Sequence, residues 1–394
     1  MVSLAGMRQK ILFKVPLFAF VAICCTAIVS SDRPIKQPGS NFPEWIAKEK
    51  IRAGFLLARE DSKYASLMRS HGLNTVIAAA TLQKKEQFQA TFKMYQQWAQ
   101  TCKRENMHLF VSYWWQPDPK LSSYRRVIYS DGTSGIAPCP RDHEYWHTHL
   151  THLGKVIAAL SLESGLQIDG IFLDCELYGP ETGKKRHYGR HTCFCDDCFS
   201  SFLLAKGYEG KNLPAIRPGE REKWLKENQL LEDYFGFLEK DVESLAREFE
   251  QELHKVNPSL LIGMYPTPRD WVLQAMARGF GTGKMPMVIF ATDTYKPRLI
   301  SRMPTLPRQF YAKQNINAVY AAGFLLGYYG ADTLEQQLLS ATEKCSGYWL
   351  FSMQRLWHSS EVYGKLASGS RDEYWQVIDS ANRHICALTN SKDR

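Results

Sequence analysis

Apolar, β-branched and aromatic residues gather in eight short runs along the chain, at 51–57, 75–80, 108–114, 168–175, 260–265, 287–292, 318–325 and 347–352. Between them lie longer stretches whose apolar residues recur every three to four positions, such as 84–103, 145–162, 224–256 and 334–342. The short runs predict strands and the longer periodic stretches predict helices with one buried stripe. Eight strand-then-helix units in series predict a (β/α)8 barrel. The longest spacing separates the fourth strand from the fifth, and 212–220, with two prolines and a glycine, divides two helical pieces there. This predicts one barrel domain over 45–390 with a helical insertion at about 200–256.

The pattern differs at the N-terminus, where Arg8 and Lys10 precede an apolar run at 11–29 interrupted only by Lys14 and followed by Ser30 and Ser31. A basic head, a short apolar segment and a small-residue end predict a cleaved export signal over 1–31 and a secreted or periplasmic protein. A retained anchor is the competing reading, since the run is almost long enough to span a bilayer. No second long apolar run follows, so no membrane partner is expected of the mature body. With 394 residues, 44% of them hydrophobic and 12% aromatic, the chain can bury a large core. Its formal charge of +9 is partly carried by that leader. The remaining basic residues are dispersed among acids, which argues against a nucleic-acid partner.

Barrel active sites are built at the C-terminal ends of strands, and here those ends are rich in aromatics and acids. Tyr113, Trp114 and Trp115 follow the third strand, and Asp174, Glu176 and Tyr178 the fourth. Tyr265, Arg269 and Trp271 follow the fifth, Asp293 and Tyr295 the sixth, Tyr328 and Tyr329 the seventh, and Trp349, Gln354 and Trp357 the eighth. Aromatic faces beside hydrogen-bonding groups suit a sugar ring, so an oligo- or polysaccharide is the expected partner. The expected contacts are Tyr113, Trp115, Tyr178, Tyr265, Tyr295 and Trp349. Most informative is IDGIFLDCELYG at 168–179. Residues two apart in a strand share a face, about 6.5–7 Å apart, which places Phe172, Asp174 and Glu176 along the barrel interior and mouth. Two carboxyls that close push their pKa values apart, supplying an acid and a base in one cleft, as glycosidic cleavage requires. A carboxylate pair bound to barrel arginines or lysines would be the structural alternative.

The string from Asp169 to Glu176 resembles the DGxDxDxE strand-four signature of family 18 chitinase-type hydrolases, with Phe172 where the first inner aspartate would stand. That resemblance implies Glu176 as general acid and Asp174 as the residue orienting a substrate acetamido group. The same segment resembles the strand-four motif of α-glucosidase-like and α-galactosidase-like hydrolases, which implies Asp174 as nucleophile and Asp293 as acid/base. The run Glu176-Leu177-Tyr178-Gly179 leads to Cys193-Phe194-Cys195-Asp196-Asp197-Cys198. This is similar to family 42 β-galactosidases, in which the strand-four acid/base glutamate is followed by a C-x-C-x-x-C zinc cluster. The likeness implies a structural zinc on Cys193, Cys195, Cys198 and, from Pro138-Cys139-Pro140, Cys139. Four thiolates hold zinc tetrahedrally and leave no open position. Two disulfides are the alternative in an oxidising compartment. The nucleophile of family 42 has no counterpart, because 318–330 contains no acid.

His143-Glu144-Tyr145-Trp146-His147 fits the H-E-x-x-H pattern of zinc proteases, yet it lacks an evident third ligand and opens the helix after strand three of a barrel. The expectation is therefore an exported glycoside hydrolase using Glu176, Asp174 and Asp293, with structural zinc and no organic cofactor. A glycan-binding barrel without activity and a zinc metalloprotease are the alternatives.

Overall fold

The computed structural model describes residues 43–80, 88–114, 124–175, 192–209, 214–265, 270–282, 285–297 and 311–391. The export segment expected at 1–31 lies outside the described residues. Ten strands are present: β1 (Ile51–Leu57), β2 (Thr75–Ala80), β3 (His108–Trp114), β4 (Arg126–Ile128), β5 (Ser134–Pro138), β6 (Gly170–Asp174), β7 (Leu261–Met264), β8 (Met287–Ala291), β9 (Ala318–Leu325) and β10 (Gly347–Phe351). All but β4 and β5 close into one parallel barrel in chain order, with β1 hydrogen-bonded to β2 on one side and to β10 on the other. The expected (β/α)8 barrel is therefore present, and β6 is its fourth strand.

The helices are α1 (Glu44–Glu49), α2 (Tyr64–Ser70), α3 (Phe88–Arg104), α4 (His152–Leu160), α5 (Asp196–Ala205), α6 (Pro218–Glu227), α7 (Leu231–Val256), α8 (Trp271–Phe280), α9 (Ala331–Lys344), α10 (Ser360–Tyr363) and α11 (Arg371–Ser391). None of the described helices is long and apolar enough to cross a membrane. Alternate strand residues enter two separate cores, as a two-residue side-chain period demands. Phe55, Phe110, Phe172, Phe290 and Trp349 fill the barrel interior. Tyr320, Phe324, Tyr348 and Leu350 face the layer between sheet and helices. Space for the interior rings is made by glycine: a Cβ on Gly170 would lie 2.4 Å from the Phe110 ring, and one on Gly263 2.6 Å from Phe290. At the N-terminal end α1 plugs the barrel, with Ile46 buried and Trp45 stacked on His108 at 3.6 Å.

Three features depart from the sequence expectations. First, β4 and β5 form an antiparallel hairpin in the loop after β3. Second, the helix expected at 145–162 ends at Leu160, and its first part, Tyr145–Thr151, winds as a π-helix before α4. Third, the helix expected at 224–256 is broken between α6 and α7, where Gln229 adopts φ 56°. The expected division of two helical pieces falls between α5 and α6, and Pro218 opens α6, where its missing N–H is one the first turn leaves unbonded anyway. α7 then packs between α4 and α8 as the barrel helix following strand four.

Candidate active site and cysteine centre

Asp174 ends β6 two residues beyond Phe172, on the same inward face, and pairs in register with Trp114 of β3. The Tyr265 hydroxyl, just past the end of β7, donates to its Oδ1. Tyr265 is 7% exposed, and its ring lies 5.5 Å from that of Phe172. Phe172 in turn packs against Phe290 at 5.1 Å and Trp349 at 6.1 Å, and Trp349 against Tyr295 at 5.5 Å. Tyr295 stacks on Phe351 at 5.8 Å. The C-terminal mouth thus has a continuous aromatic floor with one described carboxylate standing on it, aligned by a tyrosine. Trp349 belongs to that floor: it is 2% exposed and its indole N–H donates to the Ala291 carbonyl at 3.0 Å. Its face is packed against neighbouring rings, so the expectation that it receives a sugar gives way to one of support.

Asp293 sits elsewhere. Its Oδ2 accepts from the Tyr320 hydroxyl at 3.4 Å, and that ring belongs to the layer outside the sheet. Burial raises the Asp293 carboxyl to about 6. The adjacent residue explains the placement. Thr294 turns its hydroxyl onto β9, donating to the Gly323 carbonyl at 2.7 Å and accepting from the Gly323 N–H at 2.8 Å. The Tyr329 hydroxyl clasps the Thr294 carbonyl from the other side. Tyr295 is thereby delivered to the inner floor and Asp293 to the outer layer. The inner positions of β9 nearest the mouth are Gly323 and Leu325, neither of them an acid.

Of the remaining expected residues, Glu176, Tyr178 and Trp115 lie outside the described residues, and Tyr113 lies in β3. Asp169, the first residue of the strand-four signature, is at the opposite end of the barrel. It accepts from Leu109 N–H at 3.0 Å and Gln167 at 2.8 Å and lies 2.9 Å from His108 Nδ1, a clamp on the barrel floor. A rim cluster went unforeseen. Glu60, past the end of β1, is within 2.6 Å of His358 Nε2 and accepts from the Tyr363 hydroxyl at 3.0 Å, joining the loops after β1 and β10. An acid three residues beyond a strand end was the available signal for it.

The four cysteines do converge. The sulfurs of Cys139, Cys193, Cys195 and Cys198 all lie within 4.8 Å of one another and all four residues are buried. The Cys139–Cys198 and Cys139–Cys195 separations are 3.4 and 3.8 Å, and no described cysteine is in a disulfide. Zinc bonded to four sulfurs at about 2.3 Å would space them about 3.8 Å apart, so the residues fit a tetrahedral metal. The β4–β5 hairpin supplies Cys139, whose N–H bonds to the Arg125 carbonyl at 2.6 Å. The strand-four loop and the first turn of α5 supply the others. Thiol hydrogen bonds from its three neighbours hold Cys195 well below the ordinary thiol range, whereas burial drives Cys193 upward. The surrounding loops are tied in as well: Tyr234 donates to the Cys193 carbonyl at 2.6 Å and Trp271, from α8, to the Thr192 carbonyl at 2.7 Å.

His143 and His147 form no such site. Their rings are exposed, 6.2 Å apart, and turned to α7, where His143 Nε2 lies 3.3 Å from Asp241 and His147 Nε2 3.8 Å from Glu248. Among the described residues the cysteine quartet alone forms a metal-compatible group.

No family model matches the chain, and no curated protein sequence matches it. Among solved structures it is similar to an exo-β-agarase, with a TM-score of 0.50 at 14% identity over 83% of this chain and 48% of that one. It is also similar to agarase AgWH50C (TM-score 0.47, 14% identity, 82% of this chain and 48% of that one) and to an endo-1,4-β-mannanase from Eisenia fetida (0.44, 12%, 84% and 90%). The chain thus spans about half the length of either agarase, and the likeness is one of fold.

Proposed function

We propose that this protein is an exported glycoside hydrolase that acts on an oligo- or polysaccharide at the C-terminal mouth of the barrel. The observation that carries the reading is Asp174, an inward strand-four carboxylate aligned by Tyr265 on an aromatic floor. Glu176, two residues on, is the general acid/base. Asp174 is its partner carboxylate, stabilising positive charge at the reacting carbon, and Tyr265 keeps it oriented. Tyr295, with Tyr113, Trp115 and Tyr178, offers the faces and hydroxyls for sugar rings. A displacement mechanism shared between Asp174 and Asp293 is the less favoured route, because the Tyr320 contact holds Asp293 toward the outer layer. The cysteine quartet holds a structural zinc that ties the hairpin to the strand-four loop. It supplies no open coordination position and takes no part in the chemistry.

The test is a screen of the purified protein against chromogenic glycosides and polysaccharides, beside Asp174→Asn and Glu176→Gln. Each substitution is nearly isosteric and should lower turnover by about 10² or more with the fold intact. Full activity of both variants on a substrate with a poor leaving group would refute the assignment. The absence of any strand-seven acid favours a second reading, a glycan-binding barrel without activity. It predicts sugar binding by calorimetry with no cleavage.

A further inference from the structure

The arginine two residues beyond Cys139 is unusual in its surroundings. Arg141 is 8% exposed, its Nε donates to Asp241 Oδ2 at 2.6 Å and its guanidinium lies 4.7 Å over the Phe237 ring. Nη1 is sealed from solvent without a well-formed hydrogen bond. A buried, permanently charged N–H left unbonded is costly, so the fold holds it there for something that can accept. The group within its reach is the Cys198 sulfur, which lies 3.4 Å from that of Cys139, two residues before the arginine. A neutral thiol is a poor acceptor; a metal-bound thiolate is a good one.

Resting on the zinc reading above, we propose that Arg141 is a positioning residue of the cysteine centre, its Nη1 donating to the Cys198 sulfur in the metal-loaded protein and so strengthening retention of the metal. Asp241 and Phe237 fix the guanidinium plane, and Arg125, through its Nη2 bond to the Arg141 carbonyl at 2.9 Å, fixes the backbone that carries it. The Ile128 N–H, 3.4 Å from the Cys193 sulfur, plays the same part on the far side of the centre. Residues that hydrogen-bond metal ligands commonly alter affinity by about 10–100-fold.

The experiment uses the full chain, its metal content first measured by elemental analysis. Zinc retention is then followed by competition with a chromogenic chelator for wild type, Arg141→Met and Arg141→Lys. Cobalt substitution checks that the sulfur-to-metal charge-transfer bands survive in each. Arg141→Met should release zinc about 10–100-fold more readily. Arg141→Lys keeps the charge but cannot reach Asp241 and Cys198 together, so it should fall between; it also decides the matter if the methionine variant does not fold. Retention equal to wild type in the variants would overturn the proposal. So would a loss of thermal stability just as large in the metal-free variants as in the loaded ones, which is what a packing role alone predicts. A wild-type protein that carries no zinc and takes up none would instead overturn the zinc reading itself.

Discussion

At the scale of single residues, burial decides what each strand-end side chain can do. Phe172 stands where a chitinase-type signature has an aspartate, and it is 1% exposed between Phe55, Phe290 and Trp349. Phe172→Asp would bury an unpaired carboxylate among rings, so it should destabilise by about 4 kcal/mol or more at pH 7, and less in acid where the group is neutral. Denaturant midpoints at pH 4 and pH 7 measure both. Gly323 is equally constrained: a Cβ there would lie 2.1 Å from the Ala291 carbonyl and 2.6 Å from the Trp349 indole nitrogen. Gly323→Ala should cost about 1–3 kcal/mol by overpacking and shift the intrinsic tryptophan emission. Glu250, on α7, accepts from Thr282 at 2.6 Å, and burial raises it to about 7 from 4.5. Between those values the folded chain keeps a proton that the unfolded chain has lost, so stability falls as pH rises through that window. Glu250→Gln should therefore match wild type near pH 4 and exceed it at pH 8, by up to about 3 kcal/mol. Equal denaturant midpoints at both pH values would refute this.

At the scale of elements, the loops after strands three and four are built as one body. The β4–β5 hairpin, the turn at Cys139 and the start of α5 meet at four sulfurs, and Arg221 of α6 closes the group by donating to the Phe194 carbonyl at 2.6 Å. On the zinc reading proposed above, Cys195→Ser removes one ligand. It should lower the thermal midpoint of the loaded protein markedly while leaving the far-ultraviolet signal of the barrel unchanged at 25 °C, which circular dichroism checks. The hairpin was not legible in the sequence, because its strands are short and lack a marked apolar run. The break at Gln229 was equally hidden: 224–256 keeps helical spacing throughout, and a left-handed residue that is not glycine leaves no compositional mark.

For the whole molecule, the barrel is closed by pairing β10 with β1, residues that are nearly 300 positions apart. Its interior is packed with aromatic rings, and its floor is plugged by α1. Stability therefore belongs to the barrel and shape of the mouth to the loops above it, a division common to the fold. Prolonged chelation at neutral pH should accordingly raise protease sensitivity near the cysteine loops well before it unfolds the barrel. Limited proteolysis with mass mapping of the first cleavage sites would show this, and simultaneous loss of both would contradict it.

The amino-acid sequence alone determined the eight strands, because both faces of a barrel strand are buried and each must be written as a compact apolar run. It also marked Cys193, Cys195 and Cys198 as a group, since metal-type spacing is local and rare by chance, whereas Cys139, from an earlier loop, was implied by the resemblance to family 42 β-galactosidases. Which inward or outward layer each carboxylate joins was decided by the tertiary structure. Asp174 and Asp293 read alike as strand-end acids, yet Tyr265 takes one on the inner face while the Thr294–Gly323 clasp turns the other toward Tyr320. The same holds for Trp349, floor rather than open face, and for Arg141, whose orphaned N–H exists only once Asp241, a hundred residues on, has fixed its guanidinium. Periodicity is a property of neighbours in the chain; partners and burial are properties of neighbours in space.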